Sequence, residues 1–159
     1  MVSIRPLTEE DFMTVYYWEN LPELWRVSEQ SGPFSEAEIK DFVSRCIDPN
    51  HHEINRWLIC IDREPIGAID FFDYDTVNNH CGIGIFIAEE GHRGQGYAGD
   101  ALNHGLNLLL QRGCRSVRAV IYSENVRSKN LFRKAGFTEG GPILYKGKTA
   151  IQFIRNFQE

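Results

Sequence analysis

Arg93-Gly94-Gln95-Gly96-Tyr97-Ala98-Gly99 lies between an apolar strand-like run, Gly82 to Ala88, and a Leu-rich run with helical spacing. A glycine turn therefore opens a helix at the end of a strand. Three glycines so close together let the backbone fold tightly and approach a ligand. The first amides of the new helix are unpaired donors at the positive end of a dipole, and a pyrophosphate fits them. Gly94, Gly96 and Gly99 also spell G-x-G-x-x-G, the dinucleotide fingerprint when it follows the first strand of a βαβ unit. Here the turn lies past mid-chain, too few residues remain for a doubly wound domain, and Glu124 is farther away than the ~20 residues expected of a ribose-binding acid. An NAD(P)-dependent oxidoreductase and a bland structural turn are the alternatives to a phosphate cradle of another kind.

At 159 residues the chain reads as one domain, 1–159, able to bury a full core without staples. Its charged share of 25% and hydrophobic share of 42% are those of an ordinary globular protein. A net charge of −5 argues against nucleic acid or an anionic membrane as partner. The N-terminus reads directly into a strand with no leader pattern, and no run approaches a membrane span, so a cytoplasmic location is expected. Cys46, Cys60, Cys81 and Cys114 form no C-x-x-C pair and read as buried reduced thiols. The histidines lack H-x-x-x-H spacing, and no metal is expected. A polyanionic ligand then needs local positive charge, which Arg127-Ser128-Lys129-Asn130-Leu131-Phe132-Arg133-Lys134 offers on a helix whose other face is Ser128, Leu131, Phe132 and Ala135. A solvated helix face is the plainer reading of the same charges.

Residues 2 to 7 read as a strand, and Thr8 with Asp11 as a helix start running toward Trp18. Ser35 with Glu38 is a capping box opening a helix to about Cys46, and residues 19–34 between them read as an irregular connection able to overhang a site. Arg56 to Asp62, Pro65 to Tyr74 and His80 to Ala88 form an antiparallel meander, the first turn at Arg63-Glu64. Ala98, Ala101, Leu102, Gly105, Leu108 and Leu109 define a helix closed by Gly113. Ser116 to Tyr122 is a strand, the basic helix follows, and two further strands begin at Gly136-Phe137 and Thr149. The expectation is an α/β (α+β) fold with a mixed, mostly antiparallel sheet of about seven strands and about four helices.

On these motifs the chain resembles the GNAT superfamily of acetyl-CoA-dependent N-acetyltransferases over nearly its whole length. The pattern R/Q-x-x-G-x-G/A is met by Arg93, Gly96 and Ala98, and the second half by Asn125-x-x-Ser128 leading to Leu131-Phe132-Arg133-Lys134-Ala135-Gly136-Phe137. Trp18-Glu19-Asn20 through Gly32-Pro33-Phe34-Ser35 is similar to the branch holding polyamine and ribosomal-protein N-terminal acetyltransferases. The resemblance implies acetyl-CoA as co-substrate, and a primary amine on a small molecule or peptide N-terminus as acceptor. The main chain of Ile85, Phe86 and Ile87 would pair with the pantetheine arm. The amides of Arg93, Gly94, Gln95, Gly96, Tyr97, Ala98 and Gly99 would hold the pyrophosphate. Asn125 would meet the pantetheine, with Ser128, Lys129 and Arg133 toward the far end. Gly82 and Gly84 leave one face of their strand without bulk, for a ligand or for close helix packing.

A primary amine with a pKa near ~10.4 is almost wholly protonated at pH 7, so a carboxylate or ordered water must take its proton. Asp70 and Glu29 are the candidates, among Asp73, Asp75, Glu19 and Glu23. Regular alternation would put Asp70 with Ala68 and Phe72, and Asp73 with Ile69 and Phe71. The oxyanion would meet a backbone N–H at Phe86 or Ile87. Many GNAT members protonate the leaving thiolate with a Tyr where this chain has Phe132, which has no hydroxyl. Tyr122 and Tyr145 are the possible substitutes, and the alternative is an acyl-CoA-binding domain without turnover. Trp18, Trp25 and Phe34 can floor an acceptor pocket or pack the core. A homodimer through the final strand and the overhanging connection is a further expectation.

Overall fold

A computed structural model describes residues 1–25, 33–51 and 53–157. Seven strands form one sheet: β1 (Val2–Pro6), β2 (Ile54–Ile61), β3 (Glu64–Asp75), β4 (His80–Ile87), β5 (Ser116–Tyr122), β6 (Thr138–Tyr145) and β7 (Lys148–Asn156), in the order β1-β2-β3-β4-β5-β7-β6. The β4–β5 pair is parallel and every other neighbour antiparallel. Among the described residues there are five helices, α1 (Phe12–Glu19), α2 (Pro22–Trp25), α3 (Glu36–Ile47), α4 (Tyr97–Gln111) and α5 (Val126–Lys134). The helix beyond the four expected is the single turn α2.

Strand alternation sorts the apolar side chains into two cores, one on each face of the sheet. Ile69, Phe71, Cys81, Ile83 and Ile87 pack with Ala101, Leu102, Leu106 and Leu109 of α4. Gly105 lets α4 lie close, since an added Cβ would sit 3.1 Å from the Ile69 side chain. On the opposite face Leu58, Cys60 and Ala68 pack with Val15 and Trp18 of α1 and Ile39, Val43 and Cys46 of α3. The capping box at α3 forms as its sequence requires: Ser35 Oγ accepts from the Glu38 N–H and Glu38 Oε1 from the Ser35 N–H.

Three details differ from the sequence reading. The β2–β3 turn is Asp62-Arg63, both at positive φ, one residue before the expected place. Asp73 is also left-handed, at φ 50°, where the β3–β4 register slips between Phe72 and Asp75. Alternation therefore ends before Asp73, which lies exposed with Arg118 at 3.7 Å instead of sharing a face with Ile69 and Phe71. Finally, β7 is flanked on both sides by β5 and β6 and has no open edge, so β6 is the border of the sheet. Antiparallel pairing with a late-arriving strand decided this, and local sequence carries no sign of it.

Candidate active site

Parallel pairing of β4 with β5 stops at Gly82 and Arg118, yet β4 continues to Ile87 and β5 to Tyr122. The two strands splay, and the sheet opens into a wedge between Ile83–Ile87 and 119–122. A cavity of about 1450 Å³ occupies it and runs through to the α1/α3 face. The edge of β4 that faces the wedge can be read from hydrogen bonding. The Ala88 N–H donates to the Ile66 carbonyl on β3, and Phe86, two residues earlier and paired with Ala68, shares that direction. Ile85 and Ile87 therefore turn their main-chain groups to the wedge, and the expected oxyanion donors narrow from two residues to Ile87.

At the mouth of the wedge the glycine turn reaches the start of α4. Gly94 (φ 75°) and Gly96 (φ 84°) are left-handed, a conformation that costs other residues roughly 1–2 kcal/mol. Gly96 is the N-cap, and no side chain caps the helix. Among the described residues nothing accepts from the amides of Gly94, Gln95 or Gly96, and those of Tyr97, Ala98 and Gly99 are the orphan donors of the first turn. The Arg93 N–H is spent on the Glu90 carbonyl. Its guanidinium does not project into the cradle as a bare cation either, because it donates to the Ile87 carbonyl at 2.9 and 3.1 Å and to that of Ala88 at 3.2 Å. Arg93 thus ties the glycine turn to the end of β4. Gln95 turns its side-chain amide to the Gly91 carbonyl, outside the cavity lining.

Across the wedge, Asn125 caps α5 by accepting from the Ser128 N–H at 3.2 Å, and both line the cavity. Lys129 and Arg133 do not line it. Arg133 is turned to Glu139 on β6, at 2.7 Å. The cation that α5 does bring to the cavity is Arg127, which the sequence reading placed in the basic run without singling it out. Phe132 is buried edge-to-face on Phe137, with ring centroids 4.9 Å apart. Tyr122, at the end of β5, is 8% exposed and lines the wedge, with Tyr145 beside it and the Lys148 ammonium over its ring at 5.3 Å.

The cavity's other end is acidic. Glu19, Glu23, Glu38, Asp41, Glu53, Asp70 and Asp73 line it, against Arg45 and Arg56. Arg56 organises this end. It is 4% exposed, its guanidinium carbon lies over the Phe42 and Phe86 rings at 4.8 and 5.2 Å from their centroids, and its fork holds both oxygens of Asp70 (2.7 and 2.9 Å) and one of Glu19 (2.9 Å). Burial works against its charge, but the two carboxylates more than reverse that, so its pKa lies above the ordinary arginine value and it stays cationic. One guanidinium thus holds two carboxylates together beside Phe86. The signal for Arg56 was weak, a lone arginine in an apolar strand. Glu29 lies outside the described residues. Trp18 is core, packed edge-on to Phe86, whereas Phe34 lines the cavity. The thiols of Cys46 and Cys81 are pushed up to about 12 by burial and supply no nucleophile near neutrality. Among the described residues no group of side chains could hold a metal, and no helix is long and apolar enough to cross a membrane.

The glycine turn follows the fourth strand of a mostly antiparallel sheet, not the first of a parallel one, so its fingerprint is not that of a dinucleotide domain. Comparison with known proteins agrees. The acetyltransferase (GNAT) domain family matches residues 2–138. Streptothricin acetyltransferase of Escherichia coli is 30% identical over 113 residues, 71% of this chain and 63% of that protein, so the match spans less than two thirds of that relative. Among solved structures, spermidine N-acetyltransferase from Vibrio cholerae, in complex with CoA and spermine, superposes with a TM-score of 0.87 at 16% identity, over 98% of this chain and 95% of that one. RimL, a ribosomal-protein alpha-N-protein acetyltransferase in complex with coenzyme A, does so with 0.84 at 20% identity, over 98% and 93%. With a splayed β4–β5 pair, a glycine cradle at the head of α4 and a family match over most of its length, the chain belongs to the GNAT acetyltransferase domain family.

Proposed function

We propose that this protein is an acetyl-CoA-dependent N-acetyltransferase whose acceptor is a cationic primary amine, on a polyamine-like small molecule or a protein N-terminus. The observation that carries the reading is one cavity with two unlike ends, uncapped helix amides at one and a carboxylate rim at the other. The fit at the first end is chemical: amides of Gly94 to Gly99, the α4 dipole and Arg127 suit a diphosphate, and the wedge-facing groups of Ile85 and the N–H of Ile87 suit an extended amide-bearing arm. The spermine in the Vibrio cholerae structure is the kind of ligand the acidic end suits.

Acetyl-CoA, when bound, supplies an acetyl thioester. The chain's own residues do the rest. The carboxylate rim draws the ammonium in, and Asp70, held by Arg56, takes its proton directly or through water. The Ile87 N–H, fixed in place by the sheet, meets the negative charge that develops on the carbonyl oxygen. Tyr122 stands in for the missing hydroxyl at Phe132 and protonates the departing thiolate. A coenzyme A thiol has a pKa near ~8.5 and leaves tolerably even without help. The four buried reduced cysteines suit a cytoplasmic location.

Acetyl-CoA at a hundredfold excess over its Kd is expected to stabilise the fold by about 2.7 kcal/mol, a clear rise in Tm, while NAD gives none. Thiol release is then expected across a panel of polyamines, amino sugars, amino acids and peptide N-termini, fastest for the polycations. Absence of protection by coenzyme A or acetyl-CoA overturns the reading. Phe132 favours a second reading, an acyl-CoA-binding domain without turnover, which predicts protection with no thiol release from any amine.

A further inference from the structure

Three glycines lie inside the paired strands β3 and β4, and they are there for different reasons. A Cβ at Gly67 would run into the Phe86 carbonyl, and one at Gly82 into the Phe72 ring. Packing requires both. Gly84 is not in the left-handed region, and the atom nearest an added Cβ is Phe72 Cε1, at an ordinary 3.9 Å. Neither conformation nor packing therefore asks for glycine at that place. Glycine within a strand loses more conformational freedom on folding and offers no side chain to pack, so the fold alone would do better with alanine.

What a side chain at 84 would occupy is the cavity. Gly84 lines it, and its register partner on β3 is Asp70, which puts the two on one face of the sheet. Arg56 is the partner of Asp70 on β2, and Phe86 follows two residues on along the same face. Gly84 is thus the floor between the carboxylate rim and the stretch of β4 that turns its amides to the wedge. An amine travelling from the acidic end toward Ile87 passes over it.

We propose that Gly84 is the specificity-determining residue of the acceptor site: its missing side chain leaves the opening beside Asp70 through which a primary amine on a wide carbon frame reaches the main chain of β4. The inference rests on the transferase reading and adds which position sets the width of acceptor admitted. An alanine here narrows the passage for ring-bearing amines such as kanamycin before it affects a linear one such as spermidine. A valine closes it to both.

The test compares Gly84→Ala, Gly84→Val and, as a packing control, Gly82→Ala with wild type. Each is measured for Tm, acetyl-CoA Kd by calorimetry, and KM for spermidine, kanamycin and the best amine of the panel above. Gly84→Ala is expected to keep or raise the Tm, to hold the acetyl-CoA Kd within about twofold, and to raise the KM of the wider amine about tenfold. Those figures follow from a clash confined to the acceptor and felt as weaker binding. Gly84→Val extends the rise to spermidine. Gly82→Ala loses Tm. The inference is overturned if Gly84→Ala loses Tm as Gly82→Ala does, or if both variants at 84 keep wild-type KM for every amine that wild type acetylates. A wild type that neither binds acetyl-CoA nor acetylates any amine overturns the transferase reading itself, and the inference with it. Binding without turnover by wild type overturns the inference while leaving the cofactor assignment standing.

Discussion

Gly96 combines a left-handed backbone with open space where a Cβ would project, and it lines the cavity at the N-cap of α4. Gly96→Val therefore carries a backbone penalty of about 1–2 kcal/mol, worth roughly 2–8 °C in a chain of this size, and puts bulk at the proposed diphosphate site. The expected result is a folded variant whose Tm no longer responds to acetyl-CoA, read by thermal shift. Wild-type affinity there contradicts the cradle. Tyr122 is the other residue whose role a single atom decides. Tyr122→Phe keeps the buried ring and removes the hydroxyl, and kcat is expected to fall about 10²-fold with little change in KM. An unchanged kcat shows that the thiol leaves without an acid. At this scale Gly94, Gly96, Asn125 and Phe132 were legible in the sequence because motif spacing names them. That Arg127 lines the cavity while Lys129 and Arg133 do not, and that Ile87 faces the wedge while Phe86 pairs toward β3, was not, because which way a group points depends on a neighbouring strand or helix.

Arg56 joins three elements, since Glu19 belongs to α1, Arg56 to β2 and Asp70 to β3. Replacing it by Met takes the shared guanidinium away from Glu19 and Asp70 beside apolar rings. The predicted loss is about 3 kcal/mol, near the low end for broken buried pairs because both carboxylates keep some solvent contact. Thermal or urea unfolding measures it. Recovery of most of the loss when Glu19→Gln and Asp70→Asn are added distinguishes stranded charge from lost packing. Arg93 works across elements in the same way, holding the carbonyls that end β4 from within the glycine turn. The elements themselves were legible almost throughout, since α4, β5 and α5 carry strong periodicity and Gly113 closes α4. What alternation missed was the left-handed Asp73: a bulge follows from how β3 must meet β4, and no single-strand pattern contains it.

For the molecule as a whole, stability toward acid is set partly where β1 meets the helical layer. Asp11 is buried and accepts from both ends of the Arg5 guanidinium, at 2.8 and 2.9 Å, and from the Thr8 N–H at 2.9 Å. The Arg5 hydrogen bonds, more than the opposing burial, hold its carboxyl below the usual carboxylate range. A depressed folded pKa stabilises above the unfolded value, near ~3.9, and that stability is lost as pH falls through the folded value. Wild type is therefore expected to lose Tm below about pH 4. Asp11→Asn starts about 2 kcal/mol lower at pH 7 and shows a shallower decline in that acid window, measured by thermal unfolding from pH 7 to pH 2.

The chain by itself determined the elements, the glycine cradle and the family, because helix and strand periods, caps and left-handed turns are local properties written in neighbouring residues. Only the tertiary structure decided that β4 and β5 part after Gly82, that β7 lies inside the sheet, and that Arg56 gathers Glu19 and Asp70 into one charged cluster. Those features depend on contacts between segments far apart in sequence, whose geometry is set by how the two cores pack against the sheet.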